Sequence, residues 1–239
     1  MSAMTAKENS AVSAYYPVYL DIRGRSCLVV GGGRVGTRKV KGLMKCGAKV
    51  TVVSVEATQA LVDWAAKKKI RLFERAYAST DLEGHFMVIG ATDNEVLNRR
   101  IYTAAERRNM LCNIVDWPPG CNFILPAVIR QGDLAIAIST AGKSPAFARF
   151  LRLQMEKEYG LEYALLLELM GLIRRKLLAR DHAPEKHKPL FEALLSGGLL
   201  EMIRQNRPAD IDNLLAQTLG DQCSLTKLGF HLQSKGVSE

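Results

Sequence analysis

Gly31-Gly32-Gly33-Arg34-Val35-Gly36 most limits what this chain can fold into. Glycines at this spacing say little alone; their flanks decide. Ser26 to Val30 is a short apolar run with the character of a buried strand, and Arg34 to Cys46 carries helical spacing until Gly47 stops it. Lys49 to Val53 reads as a second strand. Inside such a β-α-β unit the turn matches the GxGxxG pattern of dinucleotide-binding sheets. Gly31 permits the tight turn, Gly33 lets the backbone approach a pyrophosphate, and Gly36 lets helix pack on strand. Arg34 and Val35 open the helix whose N-terminus would receive that anion.

The alternation continues. Ala57 to Lys67 reads as a helix, Ile70 to Phe73 and Phe86 to Ile89 as strands, Glu95 to Arg107 as a helix and Leu111 to Val115 as a strand. This order predicts an α/β, Rossmann-type parallel sheet with helices on both faces, over residues 1–122. The second strand runs out through Ser54 and Glu56, placing Ser54 nearest the position that holds the adenosine ribose. No arginine follows at once to receive a 2′-phosphate, so NAD is favoured over NADP. Thr92 and Asp93 follow the Phe86–Ile89 strand at the edge where ligands bind in open sheets. Asp93 has the alternative of capping the next helix.

After Val115 the pattern changes. Asp116 ends the strand and Trp117-Pro118-Pro119-Gly120 turns the chain. Phe123 to Arg130 and Leu134 to Ser139 flank Gln131-Gly132-Asp133, a hairpin signal. Ser139, Thr140, Lys143 and Ser144 then combine hydroxyls and a cation with a helix start, Ser144 as N-cap and Pro145 first in the helix. That turn suits a carboxylate or phosphate, or is an ordinary capped turn. The helix runs to Tyr159. Residues 123–158 form a dimerisation region, and residues 159–239 a helical domain with three or four helices between 161 and 220 and a frayed end over the last fifteen residues. Phe123, Ile124, Leu125, Val128 and Ile129, with Phe147, Phe150 and Leu151, are too apolar to leave on a monomer surface.

Composition excludes little. The net charge of +9 attracts anions, but the cations are spread along the chain with no recognition motif, which argues against nucleic acid. Leu161 to Ile173 contains Glu162 and Glu168 and is too short to span a bilayer, and residues 1–14 read as a loose tail without a leader's apolar core. A cytoplasmic protein without a membrane partner is expected. Five cysteines lack CxxC pairing; Cys27 and Cys112 lie in strand-like runs and read as buried thiols. No metal-ligand cluster is visible; the histidines are scattered, and His182 and His187 read as surface residues.

Taken together, Tyr16-Pro17-Val18-Tyr19-Leu20, GGGRVGTRK, GATDNEVLNRRI, NIVDWPPGCNFILPAVI and AISTAGKSPAFARFLR resemble the precorrin-2 dehydrogenase/sirohydrochlorin ferrochelatase family, the dehydrogenase–chelatase part of sirohaem synthase. The resemblance covers residues 15 to about 158. It implies NAD-dependent oxidation of precorrin-2, a tetrapyrrole, to sirohydrochlorin. It also implies a homodimer that exchanges the hairpin and its following helix. Asp116 matches the family's principal catalytic aspartate and Asn113 the polar residue before it. Ser139, Thr140, Lys143 and Ser144 become substrate-binding candidates. Thr140 stands where some members carry a phosphorylatable serine. No methyltransferase domain follows, so methylation is expected from another protein. Some members only dehydrogenate and others also insert ferrous iron, which leaves iron open as a second substrate. The alternative from another class is an NAD-sensing module acting through a partner.

Overall fold

The computed structural model describes residues 15–180 and 184–232. The chain divides into two compact units, Met1–Leu125 and Pro126–Glu239.

The first unit holds β1 (Ser26–Gly32), α1 (Arg34–Lys45), β2 (Lys49–Ala57), α2 (Gln59–Ala66), β3 (Arg71–Glu74), β4 (Met87–Gly90), α3 (Glu95–Glu106) and β5 (Leu111–Ile114). The strands form one sheet in the order β3-β2-β1-β4-β5, every pair parallel. The order reverses between β1 and β4, and such a switch point opens a crevice at the strands' C-terminal ends. Central strands covered on both faces need side chains that are apolar throughout, and Cys27, Leu28, Val29, Val52 and Val88 are fully buried. Their alternation feeds two cores. Val29, Val40, Val52 and Leu61 fill one face; Leu28, Val53, Val88 and Ile101 fill the other.

β2 outruns its expected end by four residues, reaching Ala57, with a register shift against β1 between Val30 and Gly32. The following helix consequently begins at Gln59 rather than Ala57. Asn94 rather than Asp93 caps α3, its side chain accepting from the Leu97 N–H at 2.9 Å. The capping alternative for Asp93 is thereby corrected.

The second unit begins with the hairpin β6 (Ala127–Gln131) and β7 (Leu134–Ile138), antiparallel and closed by a two-residue turn with Gly132 at φ +56°. A glycine first in that turn is what the II′ geometry requires. The strand expected from Phe123 starts only at Ala127, because Pro126 has no N–H to give a ladder. Ile129, expected in the dimer contact, is already buried within its own chain. α4 (Pro145–Glu158) starts as predicted, Ser144 Oγ accepting from the Phe147 N–H at 3.1 Å.

α5 (Leu161–Arg180), α6 (Pro184–Ser196), α7 (Leu199–Arg204), α8 (Pro208–Leu219) and the short α9 (Leu225–Leu228) share one apolar core that includes Leu169, Ile173, Leu194 and Ile211. Two expectations need correction here. His187 is buried, because it lies one and two helical turns before Leu190 and Leu194 on the inward face of α6; His182 falls outside the described residues. The frayed end is, in its described part, an α9 turn followed by a buried Phe230. All five cysteines are free, and burial pushes the Cys27 and Cys112 thiols up to about 11 and about 12.

Candidate active site

The glycine turn is built by sterics. Gly31 sits at φ +112°, and a Cβ there would stand 2.2 Å from the Ala91 carbonyl oxygen, so β1 and the β4 loop come together only through glycine. A Cβ on Gly32 would meet the Glu56 carbonyl oxygen at 2.4 Å. Gly33 differs: a Cβ there would face open space. The fold itself therefore does not require glycine at position 33. Gly33 is also the N-cap of α1, with no side-chain cap and no acidic residue in the first turn. An uncapped helix start without an acidic residue suits this end to an anion.

Ser54 is fixed from both sides. Its Oγ accepts from the Gly32 N–H at 2.8 Å and donates to the Glu56 carbonyl at 2.6 Å. It holds the glycine turn to the end of β2 while lining the groove beside it. That groove has a volume of about 940 Å³, and Gly31, Gly33, Arg34, Val35, Ser54, Thr92 and Asp93 all border it. Gly36 does not; it packs under the turn, where a Cβ would stand 2.0 Å from the Gly31 carbonyl oxygen. Thr92 is held by Asn98, which is buried, accepts from Thr92 Oγ1 at 2.8 Å and donates to the Thr92 carbonyl at 2.9 Å.

A second pocket of about 370 Å³ shares Val35, Ala91, Thr92 and Asp93 with the groove and adds Arg99, Val115, Asp116 and Trp117. The two spaces adjoin along these shared residues, beside the switch point. Asp116 is exposed there at φ +60°, a left-handed conformation that aspartate tolerates better than most side chains. Asn122 braces β5 by accepting from the Cys112 N–H at 2.9 Å and donating to the Met110 carbonyl at 2.8 Å.

Asn113 lies elsewhere. It is buried, and its amide donates to the Phe123 carbonyl at 3.0 Å, so it fixes the turn after β5 and borders neither pocket. In the second unit, Thr140 Oγ1 accepts from the Ser144 N–H at 3.2 Å and Ser139 Oγ from the Ala141 N–H at 3.1 Å. Those hydroxyls organise the turn into α4, with Ala141 and Gly142 both at positive φ and Lys143 exposed.

The sequence reading missed Lys39, Asn98, Arg99 and Trp117. Burial pushes the Lys39 ammonium below its usual range and neighbouring Arg38 adds to this, while Asp116 and Cys121 oppose it. Lys39, on α1, thus lies within electrostatic reach of Asp116. Its only sequence signal was its place one residue before the buried Val40 on an amphipathic helix. Asn98 and Arg99 lie four and five residues into α3, within reach of a site at its N-terminal end.

These features fit the diphosphate of a nicotinamide dinucleotide, and the comparisons agree. Residues 18–127 match a family model described as putative NAD(P)-binding, and residues 131–158 match one described as sirohaem biosynthesis protein central. The siroheme synthase of Methylococcus capsulatus is 35% identical over 203 residues, covering 85% of this chain and 43% of that protein. That of Thioalkalivibrio sulfidiphilus is 37% identical over 193 residues, covering 81% and 40%. Among solved structures, SirC, a precorrin-2 dehydrogenase, superposes with a TM-score of 0.70 at 27% identity, covering 85% of this chain and 98% of that one. The chain is similar in sequence to siroheme synthases and in sequence and fold to a precorrin-2 dehydrogenase. It spans less than half the length of the siroheme synthases it matches. The similarity to SirC, by contrast, takes in nearly the whole of that protein, so both units of this chain lie within the likeness.

Proposed function

We propose that this protein oxidises precorrin-2 to sirohydrochlorin with NAD, on the route to sirohaem. The observation that carries this reading is the junction of the dinucleotide groove with the Asp116 pocket through Val35 and Thr92. A bound nicotinamide would supply the hydride acceptor for the oxidation. Loss of the accompanying proton completes the two-electron oxidation, and Asp116 is the carboxylate placed to receive it, directly or through water. The α1 N-terminus and Gly33 hold the diphosphate. Ser54 and Glu56 face the adenosine ribose, and the carboxylate of Glu56 at the groove's rim disfavours a 2′-phosphate, which selects NAD.

Asn113 keeps the Asp116 turn in place by its bond to Phe123. We assign Ser139, Thr140, Lys143 and Ser144 to substrate binding, since their turn pairs hydroxyls with a cation that suits a carboxylate arm. The protein acts in the cytoplasm as a homodimer. The exposed Phe147, Phe150 and Leu153 on α4 support the dimer, the two phenyl rings lying 6.3 Å apart at 19°. A carboxylate beside the macrocycle also suits removal of the two pyrrole protons when ferrous iron enters, so we extend the proposal to iron insertion.

Anaerobic incubation of the protein with precorrin-2 and NAD, read by NADH absorbance, tests the dehydrogenase. Stoichiometric NADH and sirohydrochlorin are expected; NAD binding without turnover would favour a sensing module. Ferrous iron with sirohydrochlorin, read against a protein-free control, tests insertion.

A further inference from the structure

Among the described residues, Arg99 is the one cation in the lining of the Asp116 pocket. Its guanidinium lies 5.1 Å above the Trp117 ring, and no carboxylate or carbonyl among the described residues is recorded as its partner. Arg75, at the far end of the groove, is spent on Asp81 at 2.6 and 2.9 Å, and Arg100 reaches Ser79. Arg99 is exposed and borders the same pocket as Asp116.

Its platform is rigid. Trp117 packs edge-on against Tyr102, with ring centroids 5.5 Å apart at 85°. Gly120 lies against the indole so closely that a Cβ would meet it at 2.2 Å. A long, mobile side chain resting on a fixed aromatic face loses less freedom when it takes up a ligand, and cation–π contact leaves all five N–H donors available.

The rest of the pocket's charge is acidic: Asp93, Glu95 and Asp116 share its wall. Within this lining an anionic group meets one cation, Arg99, while Lys39 of α1 acts on the Asp116 charge from outside it. Because a guanidinium fork fits a carboxylate in bidentate fashion, the ligand chemistry that matches is a carboxylate on a flexible arm.

We infer that Arg99, stacked on Trp117 at the rim of the Asp116 pocket, is the anchor for one carboxylate arm of the tetrapyrrole and thereby positions the macrocycle over Asp116. The inference rests on the dehydrogenase reading. Arg99 is a specificity-determining residue for substrate and touches neither the dinucleotide groove nor its glycine turn.

The test is steady-state kinetics of the full chain with precorrin-2 and NAD, comparing the original protein with Arg99→Ala and Arg99→Lys. Arg99→Ala is expected to raise the KM for precorrin-2 at least ~10-fold, the scale of one charge-assisted contact, with the KM for NAD and the far-UV spectrum unchanged. Arg99→Lys is expected to recover part of the loss, since it keeps the charge without the fork. A second measurement uses sirohydrochlorin and its octamethyl ester as binding probes: the original protein prefers the free acid, and Arg99→Ala narrows that preference. An unchanged KM for precorrin-2 in Arg99→Ala, or equal loss of acid and ester binding, overturns the inference while leaving the dehydrogenase reading intact. Absence of NADH formation by the original protein overturns both.

Discussion

Gly36 of α1 and Gly31 of the β1 turn lie so close that a Cβ on Gly36 would stand 2.0 Å from the Gly31 carbonyl oxygen. Gly33, midway between them in sequence, has nothing within 4 Å of the same position. The glycines of one turn thus separate into those the fold requires and one, Gly33, that it does not; on the proposed function, Gly33 is the one that would face the diphosphate. Gly33→Asp is expected to abolish NAD binding by steric and charge repulsion of the diphosphate, with the melting temperature nearly unchanged. Gly36→Ala is expected to destabilise the first unit, because backbone must move to admit the methyl group. Titration calorimetry and thermal unfolding of the two variants check the contrast; an unaltered NAD affinity in Gly33→Asp would remove the turn from the binding site.

Most of the first unit was legible in the sequence because its elements are set by local signals: buried strands of Val and Leu, helices opened after glycine, and a motif whose spacing has a steric cause. What escaped depends on contacts distant in sequence. β2 runs on to Ala57 because Ser54 is tied to Gly32 across the sheet, and no local propensity marks that bond. Asn94 takes the cap from Asp93 because its side chain meets the Leu97 N–H. His187 is buried because a helical face, and not its polarity, decides its direction. Asp116 was found at the strand end, but Arg99 and Trp117, eighteen residues apart, become neighbours only when α3 folds back on β5.

Asp81 should report on the far end of the groove. Its carboxylate accepts from the Ala78 N–H at 2.8 Å and from both terminal nitrogens of Arg75, which hold its pKa below the ordinary 3.8, the Arg75 hydrogen bond being the largest cause. A carboxyl whose folded pKa is depressed contributes stability that is complete above its unfolded value and disappears as pH falls through the folded value. Asp81→Asn is therefore expected to lower stability by about 1–2 kcal/mol at neutral pH, discounted for the half-exposed Arg75. The difference from the original protein should shrink below pH 3.8. Urea unfolding across pH measures it; a difference that grows on acidification would contradict the assignment.

The homodimer is expected to depend on the exposed face of α4. Phe147→Glu with Phe150→Glu places charges where two stacked rings now stand half-exposed, and should give monomers at micromolar concentration with the helical spectrum retained. Light scattering checks this. A dimer that survives the double substitution would move the interface elsewhere.

The most direct test of the dehydrogenase proposal is anaerobic turnover of precorrin-2 and NAD by the original protein and by Asp116→Ala, with NAD affinity measured alongside. The original protein is expected to form NADH and sirohydrochlorin in equal amounts. Asp116→Ala should bind NAD normally and turn over at least about 100-fold more slowly, the scale of a lost general base. Near-normal NADH formation by Asp116→Ala would contradict the role given to Asp116, and no NADH from the original protein would contradict the proposed reaction itself.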